Sequence, residues 1–302
     1  MTNGIPVAMG TAAFGTSVPG STAFELLDRF AVLGGRVLDT ANNYAFWHAD
    51  GIGGDSEAVI GCWLQRQNRA QFTVITKIGS QPALADKDAN NLEGLSPAAV
   101  HSAVDKSLAR LQSSSIDVLL AHHDDTNAPL LDTWRAFTQL VEEGTVKRVG
   151  ISNYHPNRVV ELARLIDEHS LAPVSAVQFK YSVIPPVAGI DFGKLVVLGD
   201  ALSEALVAHA PGATVYGYGP LMGGLFEADT DRAWPAAYNS PENRERVEQI
   251  QRDAAKAGES ASAWVLKCVV ERGIVPVTFT SSPARLESNL RLARRLSWPG
   301  GS

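Results

Sequence analysis

The sequence has few cysteines and no long hydrophobic run. Only Cys62 and Cys268 occur among the 302 residues, and their wide separation does not fit a cysteine zinc site or a disulfide framework. We therefore expect two buried thiols in a reducing, cytoplasmic compartment. The apolar stretches are interrupted well short of the roughly 20 residues that a spanning helix needs. The N-terminus, MTNGIPVAMGTAAFG, lacks a basic segment followed by an apolar one, so we expect no signal peptide.

The sequence also lacks an excess of positive charge. It carries 26 Lys and Arg against 32 Asp and Glu, which gives a formal net charge of −6 at pH 7. No basic stripe is present, and this argues against a nucleic-acid partner. Hydrophobic residues make up 45% of the chain, which is ample material for a large buried core.

Short apolar runs alternate with longer amphipathic segments along the chain. Eight such runs have the length and β-branched content of buried parallel strands; they cover residues 5–11, 36–40, 72–77, 116–122, 146–153, 175–181, 213–219 and 273–279. Their alternation with helices predicts an α/β fold, a closed (β/α)8 TIM barrel that forms one domain over residues 1–302. A doubly wound dinucleotide-binding sheet needs G-x-G-x-x-G after its first strand, and the spacing of Gly10, Gly15 and Gly20 does not match it.

Capping residues indicate where the helices begin and end. Ser21 or Thr22 is predicted to cap the first helix, and Ser96-Pro97 to begin the third. Gly144 is predicted to follow the end of the fourth. The predicted helices cover residues 21–33, 55–68, 96–111, 131–143, 155–169, 199–209, 241–256, 259–272 and 283–295.

Polar side chains occur where the predicted strands end. In a barrel of this class the active site lies at the carboxyl ends of the strands. The groups that meet this condition are Asp39, Tyr44 in the following loop, Lys77, His122, Ser152, Asn153, Gln178 and Tyr218. Each of them alone is more typical of a cap, a strand end or a core aromatic. Ionisable groups at the ends of three consecutive strands together indicate one site.

Several motifs in order resemble the aldo-keto reductase family. They are Leu38-Asp39-Thr40-Ala41-Asn42-Asn43-Tyr44, Gly53-Gly54-Asp55-Ser56-Glu57 with Ile60-Gly61, Val74-Ile75-Thr76-Lys77, Asp117 to His122, Gly144 to Asn153, Gln178, and Tyr218-Gly219-Pro220-Leu221. The resemblance runs from about residue 8 to residue 295. It implies an NAD(P)-dependent oxidoreductase that reduces an aldehyde, ketone or sugar carbonyl to the alcohol, or catalyses the reverse. It also implies a small-molecule partner, no metal, no membrane, and a monomer or small homo-oligomer.

The resemblance implies that Asp39, Tyr44, Lys77 and His122 are catalytic. The carbonyl oxygen needs a proton when hydride arrives at its carbon, and Tyr44 is the expected donor. A free tyrosine has a pKa of about 10, which a neighbouring Lys77 ammonium is expected to lower. Asp39 would hold Lys77 charged, and His122 would donate a hydrogen bond to the carbonyl oxygen. A Schiff-base role for Lys77 is the competing chemistry, but a neighbouring carboxylate favours the protonated, non-nucleophilic amine.

The resemblance also implies a cofactor site. Ser152, Asn153 and Gln178 would bind the nicotinamide carboxamide, and Tyr218 would stack on its ring. Phosphate contacts are expected from the turn that contains Gly219, Leu221 and Gly223 and from the helix N-terminus at Thr280, Ser281 and Ser282. Arg285 and Asn289 would contact the adenosine 2′-phosphate and the adenine.

Two positions depart from the family pattern. Phe279 stands where a lysine is common, and Ser288 replaces a common acid or amide. Arg285 favours NADP because guanidinium matches phosphate geometry, and use of NAD stays open.

The sequence indicates fewer residues for the substrate pocket than for the cofactor site. Trp47 and His123 are the expected pocket residues, and Asp124 and Asp125 suit either a hydroxyl-rich substrate or a solvated charge cluster. A regulatory subunit of the same fold that binds cofactor with little turnover is the alternative function.

Overall fold

Eight parallel strands form a closed barrel in chain order. The computed structural model describes residues 4–49, 51–83, 91–228 and 233–298. The strands are β1 (Ala8–Gly10), β2 (Val37–Asp39), β3 (Thr73–Ile78), β4 (Val118–Ala121), β5 (Val149–Ser152), β6 (Val174–Lys180), β7 (Thr214–Tyr218) and β8 (Val275–Thr278). Each strand pairs with the next, and β8 pairs with β1. The predicted barrel is therefore confirmed, and every predicted apolar run overlaps one strand; β3 ends one residue after its run, and β6 begins one residue before its run.

The strands are apolar on both faces because each face packs against a core. Side chains such as Ile75, Leu120 and Tyr216 fill the inside of the barrel. Their sequence neighbours, such as Val74 and Leu119, pack outward against the helices. Successive side chains of a strand point to opposite faces. Asp39 and Lys77 each follow an inner core residue by two positions, so both point inward at the carboxyl ends of their strands. We call these ends the barrel mouth.

The described residues contain nine α-helices. They are α1 (Gly20–Val32), α2 (Asp55–Leu64), α3 (Pro97–Leu111), α4 (Leu130–Glu142), α5 (Pro156–His169), α6 (Asp200–His209), α7 (Pro241–Lys256), α8 (Ala261–Glu271) and α9 (Pro283–Leu290). None of these helices has the length and apolar character needed to cross a bilayer. Ser96 caps α3 by accepting from Ala99 N (3.3 Å), as predicted. Gly144 follows α4 with a φ of 73°, which is the left-handed geometry expected there.

Most predicted helix bounds are shifted by one or more residues, and three of the differences concern a cap or a longer stretch. Helix α1 begins at Gly20 with Pro19 in the N-cap position, so neither Ser21 nor Thr22 caps it. Helix α2 ends at Leu64 rather than at 68. Helix α9 ends at Leu290, and a short 3-10 turn covers Ala293–Arg295. These deviations lie at helix ends, where side-chain pattern constrains the backbone least.

A buried polar network fixes the loop that follows β2. Thr11 Oγ1 donates to the carbonyl oxygen of Asp39 (2.8 Å), and Ser56 Oγ donates to that of Thr11 (2.8 Å). Thr40 Oγ1 donates to Ser56 Oγ (2.9 Å). One residue further on, the fully buried Glu57 accepts from Arg110 Nε (2.7 Å). The start of α2 is thus tied to the end of β2, and this holds the loop between them over the mouth.

Candidate active site

Asp39 and Lys77 form a buried ion pair inside the barrel mouth. Asp39 is 1% exposed at the end of β2, and Lys77 is fully buried on β3. Lys77 Nζ lies 2.9 Å from the Asp39 carboxylate and donates to the carbonyl oxygen of Thr40 at 2.7 Å. Burial lowers the pKa of Lys77, and the Asp39 carboxylate opposes that shift. The ammonium is therefore held by a carboxylate rather than left as a free nucleophilic amine.

Tyr44 completes this group from the loop after β2. Lys77 Nζ donates to Tyr44 Oη at 2.9 Å, and Tyr44 Oη lies 3.4 Å from Asp39 Oδ2. Burial raises the pKa of Tyr44 well above its usual value, and the Asp39 charge raises it further. The sequence analysis predicted the opposite direction from Lys77 alone. The prediction was wrong because it left out burial and placed no carboxylate beside the phenol.

His122 lies just past the end of β4, the strand that pairs with the Lys77 strand β3. Its ring is 5.9 Å from the Tyr44 ring in an edge-to-face arrangement. Burial lowers the pKa of His122 well below its usual value, and the positive charge of Lys77 adds to the shift. The ring is therefore neutral at pH 7. Its Nδ1 atom is buried and has no hydrogen-bond partner among the described residues.

His123 stacks on His122 instead of facing away from it. The two rings are 4.9 Å apart with an interplanar angle of 14°. His123 Nδ1 is hydrogen-bonded to Ser80 Oγ at 2.6 Å, so the stacked pair is anchored to the loop after β3. Burial and the charges of Lys194 and Lys77 lower the pKa of His123 to about 4. Both histidines are neutral at pH 7.

Trp47 forms one side of the opening. It is 56% exposed, and its ring contacts that of Tyr44 edge-on at 6.0 Å. Phe46 supports it at 5.3 Å. The structure therefore places the predicted pocket residue Trp47 beside the predicted proton donor.

The polar residues at the ends of β5, β6 and β7 are linked to one another. Asn153 Nδ2 donates to Ser152 Oγ (3.0 Å) and to the carbonyl oxygen of His122 (3.1 Å). Tyr218 Oη donates to Asn153 Oδ1 (2.9 Å). Gln178 Nε2 donates to Asp39 Oδ1 (2.6 Å), which links this group to the ion pair. Asn153 has a φ of 56°, a left-handed conformation that asparagine tolerates better than most residues.

The remaining predicted cofactor residues follow β7 and β8. The turn after β7 has positive φ at Gly219 (72°), Met222 (48°), Gly223 (68°) and Gly224 (95°). After β8, Ser282 caps α9 by accepting from the backbone N–H of Arg285 (3.4 Å), and its own N–H donates to Thr280 Oγ1 (3.2 Å). Arg285 is exposed, and its side chain has no hydrogen-bond or ion-pair partner in the described parts of the chain. Ser281 is exposed in this turn, Leu221 is buried, and Asn289 is buried one helical turn beyond Arg285.

A cleft of 640 Å³ opens beside the two histidines. His123, Asp124, Asp125, Asn153 and Lys194 are among its lining residues. Both carboxylates have protein partners. Asp124 accepts two hydrogen bonds from Arg158 (2.7 and 2.8 Å), and Asp125 accepts from the backbone N–H groups of Leu95 (2.7 Å) and Asn127 (3.0 Å). The two carboxylates are therefore held by protein partners rather than forming a solvated charge cluster, and their suitability for a hydroxyl-rich substrate stays a prediction.

Two residues at the mouth were missed by the sequence analysis. Glu93 accepts from Asn42 Nδ2 (2.7 Å) and from the backbone N–H of Gly79 (2.8 Å), and so joins the loops after β2 and β3. Lys180 ends β6 two positions after Gln178, and the alternation of inner and outer side chains was the signal that would have found it. The described residues contain no cluster of three or more metal-binding side chains. Cys62 is exposed and Cys268 is half-buried, so neither is a fully buried thiol.

The chain is similar to known oxidoreductases over most of its length. It is 28% identical to the uncharacterized oxidoreductase YrpG of Bacillus subtilis over 72% of the chain and 63% of that protein. It is 30% identical to the aldo-keto reductase str7 of Strobilurus tenacellus over 80% of the chain and 71% of that protein. It is 32% identical to norsolorinic acid reductase of Aspergillus flavus over 59% of the chain, and the match spans about half of that relative, 46%.

The fold and the family model agree with these relatives. The crystal structure of a proposed 2,5-diketo-D-gluconic acid reductase B superposes with a TM-score of 0.70 over 97% of this chain and 86% of that one, at 20% identity, which supports the fold alone. The model of the aldo/keto reductase family matches residues 6–297. The chain therefore belongs to the aldo/keto reductase family.

Proposed function

We propose that the protein reduces a carbonyl compound to the alcohol with NADPH or NADH, or catalyses the reverse reaction. The observation that carries this proposal is the arrangement of Asp39, Lys77 and Tyr44. An ammonium held by a carboxylate donates to a phenol oxygen at 2.9 Å, and that phenol lies at the open end of the barrel. Tyr44 can therefore act as a general acid, because the phenolate left after proton donation has the Lys77 ammonium beside it.

The polar groups at the mouth are of the kinds that would bind the carboxamide and the phosphates of a nicotinamide dinucleotide. Ser152, Asn153 and Gln178 offer a hydroxyl and two amides, which match a neutral carboxamide. The positive-φ turn after β7 brings backbone close to a ligand without side chains in the way. The α9 N-terminus and the unpaired guanidinium of Arg285 suit phosphate. These residues would hold the cofactor, which supplies a hydride to the carbonyl carbon when bound.

In the proposed reaction Tyr44 Oη donates its proton to the carbonyl oxygen. The raised pKa keeps the phenol protonated at neutral pH, so the proton is present when a substrate arrives. The phenolate that remains is stabilised by Lys77 Nζ at 2.9 Å. Asp39 keeps Lys77 charged through this step, because the ammonium loses the carboxylate paired with it if Asp39 is removed.

His122 would orient the substrate oxygen toward Tyr44. The ring is neutral, so one of its nitrogens carries a proton and can donate a hydrogen bond, whereas the other has a lone pair and can accept one. A neutral donor next to a buried cation adds no further positive charge to the site. This arrangement leaves Tyr44 as the proton donor and gives His122 the role of a hydrogen-bond donor.

The substrate class is an aldehyde, a ketone or a sugar in its carbonyl form. The matched relatives include proteins named as norsolorinic acid reductases and an aryl-alcohol dehydrogenase, which suggests aromatic carbonyl compounds as first candidates. Trp47 at the opening is an apolar surface that suits such a ring.

The test is an assay for loss of NADPH or NADH absorbance with a panel of aldehydes and ketones. We expect turnover with at least one carbonyl, and Tyr44→Phe should abolish it while cofactor binding stays within about threefold, because the hydroxyl acts in chemistry. Tyr181→Phe is the matched control, since Tyr181 Oη contacts Arg272 (2.9 Å) outside the catalytic group. Retention of most activity by Tyr44→Phe would refute the assigned donor. Confirmed cofactor binding without turnover on any carbonyl would favour the regulatory alternative.

A further inference from the structure

Lys180 is a cation at the barrel mouth for which the proposed reaction has no role. It ends β6, and its side chain points to the same side of the strand as Gln178, toward the inside. Its Nζ lies 6.0 Å from the ring centroids of both Tyr218 and Phe192. A Cβ atom added at Gly219 would stand 3.8 Å from this nitrogen. Lys180 is thus half-buried, with its ammonium near the rings of Tyr218 and Phe192 and the turn that follows β7.

The position of Lys180 relative to Tyr218 is fixed by the backbone. The N–H of Lys180 donates to the carbonyl oxygen of Val196 (3.0 Å), and the N–H of Val196 donates to Asn153 Oδ1 (3.1 Å). The same Asn153 oxygen accepts from Tyr218 Oη (2.9 Å). One amide oxygen therefore holds both the segment that pairs with Lys180 and the tyrosine ring beside it.

No described carboxylate pairs with Lys180. Burial is what lowers its pKa, and its side chain has no hydrogen-bond or ion-pair partner in the described parts of the chain. Asp39 and Lys77, inside the mouth, neutralise each other at 2.9 Å. His122 and His123 are neutral at pH 7. The field of Lys180 over the face of Tyr218 is thus not cancelled by an adjacent anion.

We propose that Lys180 makes the site discriminate between the two redox states of the cofactor, weakening the binding of NADP⁺ or NAD⁺ relative to the reduced form. The proposal rests on the proposed function, in which the nicotinamide ring stacks on Tyr218. Hydride transfer converts a neutral dihydronicotinamide ring into a pyridinium cation, and the phosphates keep the same charge. A cation 6.0 Å from the centre of the Tyr218 ring therefore repels the oxidised nicotinamide ring, which is positive, more than the neutral reduced ring. Its consequence is faster release of the oxidised cofactor after carbonyl reduction.

The size of the effect follows from Coulomb's law. For two unit charges about 9 Å apart at an effective dielectric constant of about 20, the unscreened repulsion corresponds to roughly a ten- to twentyfold change in affinity. Lys180 is half-buried, so salt screens this repulsion less than it screens an exposed pair. A tenfold change in the ratio of the two affinities equals about 30 mV in the potential of the bound two-electron couple.

The experiment measures dissociation constants for NADP⁺ and NADPH, by calorimetry, for the unaltered chain and for Lys180→Met, Lys180→Arg and Lys106→Met. Methionine keeps the length and apolar contacts without the charge, arginine keeps the charge, and Lys106 is an exposed lysine on α3. We expect Lys180→Met to lower the ratio of the NADP⁺ constant to the NADPH constant about tenfold, chiefly through tighter NADP⁺. Lys180→Arg and Lys106→Met should leave the ratio within about twofold.

Two results would overturn the inference. An unchanged ratio in Lys180→Met would show that its charge does not act on the ring. An equal weakening of both nucleotides would show that Lys180 contacts the phosphates instead. If the unaltered chain binds neither nucleotide, the proposed function itself fails, and this inference fails with it.

Discussion

The charged groups on the two sides of the barrel mouth differ in how they are paired. At the ends of β2 and β3, Lys77 donates to Asp39, to the Thr40 carbonyl oxygen and to Tyr44, so all three of its N–H bonds have acceptors. After β6 and β8, Lys180 and Arg285 have no carboxylate partner among the described residues. The charges of the first side are paired within the chain, whereas the cations of the second side are left to act on a bound ligand, Arg285 on its phosphate and Lys180 on its nicotinamide ring.

Because of this difference, we expect substitutions on the two sides to have different effects on activity and stability. A substitution in the paired side leaves a buried charge without its partner, so it damages both chemistry and stability. A substitution in the unpaired side removes only an interaction with the ligand. The predictions below test that difference, and the largest effect is expected in the paired side.

Lys77→Met should remove activity and also destabilise the protein. Asp39 would remain buried with its charge unpaired, which costs about 3–5 kcal/mol in the free energy of unfolding. The phenolate of Tyr44 would lose its stabilising cation, so we expect turnover to fall at least about 100-fold. Urea denaturation and the NADPH assay measure the two effects separately.

Lys147→Met is the matched control for Lys77→Met. Lys147 also pairs with an aspartate, Asp117, at 2.9 Å, but its side chain is 59% exposed and Asp117 keeps Arg69 as a second partner. Exposed pairs contribute about 0–1 kcal/mol, so the control should change stability little and turnover not at all. Equal loss of stability in both variants would contradict the distinction between the paired interior and the surface.

Arg285→Met should weaken cofactor binding without lowering stability, and the weakening should be larger for NADPH than for NADH. A charged hydrogen bond to phosphate contributes about 1.5–3 kcal/mol, so the KM for NADPH should rise roughly ten- to a hundredfold. The KM for NADH and the free energy of unfolding should stay unchanged. Arg294→Met, an exposed arginine beyond α9, is the control. A rise in both constants would show that Arg285 contacts a part of the cofactor that NADH and NADPH share.

The paired side was also the more predictable one from sequence. Continuous β-branched runs marked the strands because each strand is buried on both faces. The ends of two consecutive predicted strands then placed Asp39 and Lys77 at one site, and the structure brings them to 2.9 Å. Local sequence was sufficient for this because register and alternation fix which side chains meet.

Contacts between distant loops were not predictable in this way. The pairing of Asp124 with Arg158, and of Ser80 with His123, depends on how loops fold over the mouth. The direction of the Tyr44 pKa shift depends on burial as well as on charge, and burial cannot be read from the types of its neighbours. The start of α1 was misplaced because no side chain caps it.

At pH 7 the smallest expected effect concerns His123, and this effect on the stability of the protein grows as the pH falls. An unfolded histidine has a pKa of about 6.5, whereas His123 in the folded chain has a pKa of about 4. Between these values the unfolded chain holds a proton that the folded chain lacks, so the free energy of unfolding falls as pH falls from about 6.5 toward 4. His123→Phe keeps the ring stacked on His122 and removes this proton. The slope of unfolding free energy against pH, from urea titrations at several pH values, should therefore decrease by up to about 1.4 kcal/mol per pH unit, while the exposed His169→Phe leaves it unchanged. An undiminished slope in His123→Phe would mean that the ring of His123 is not held neutral in the folded chain and that the stacked pair is open to water.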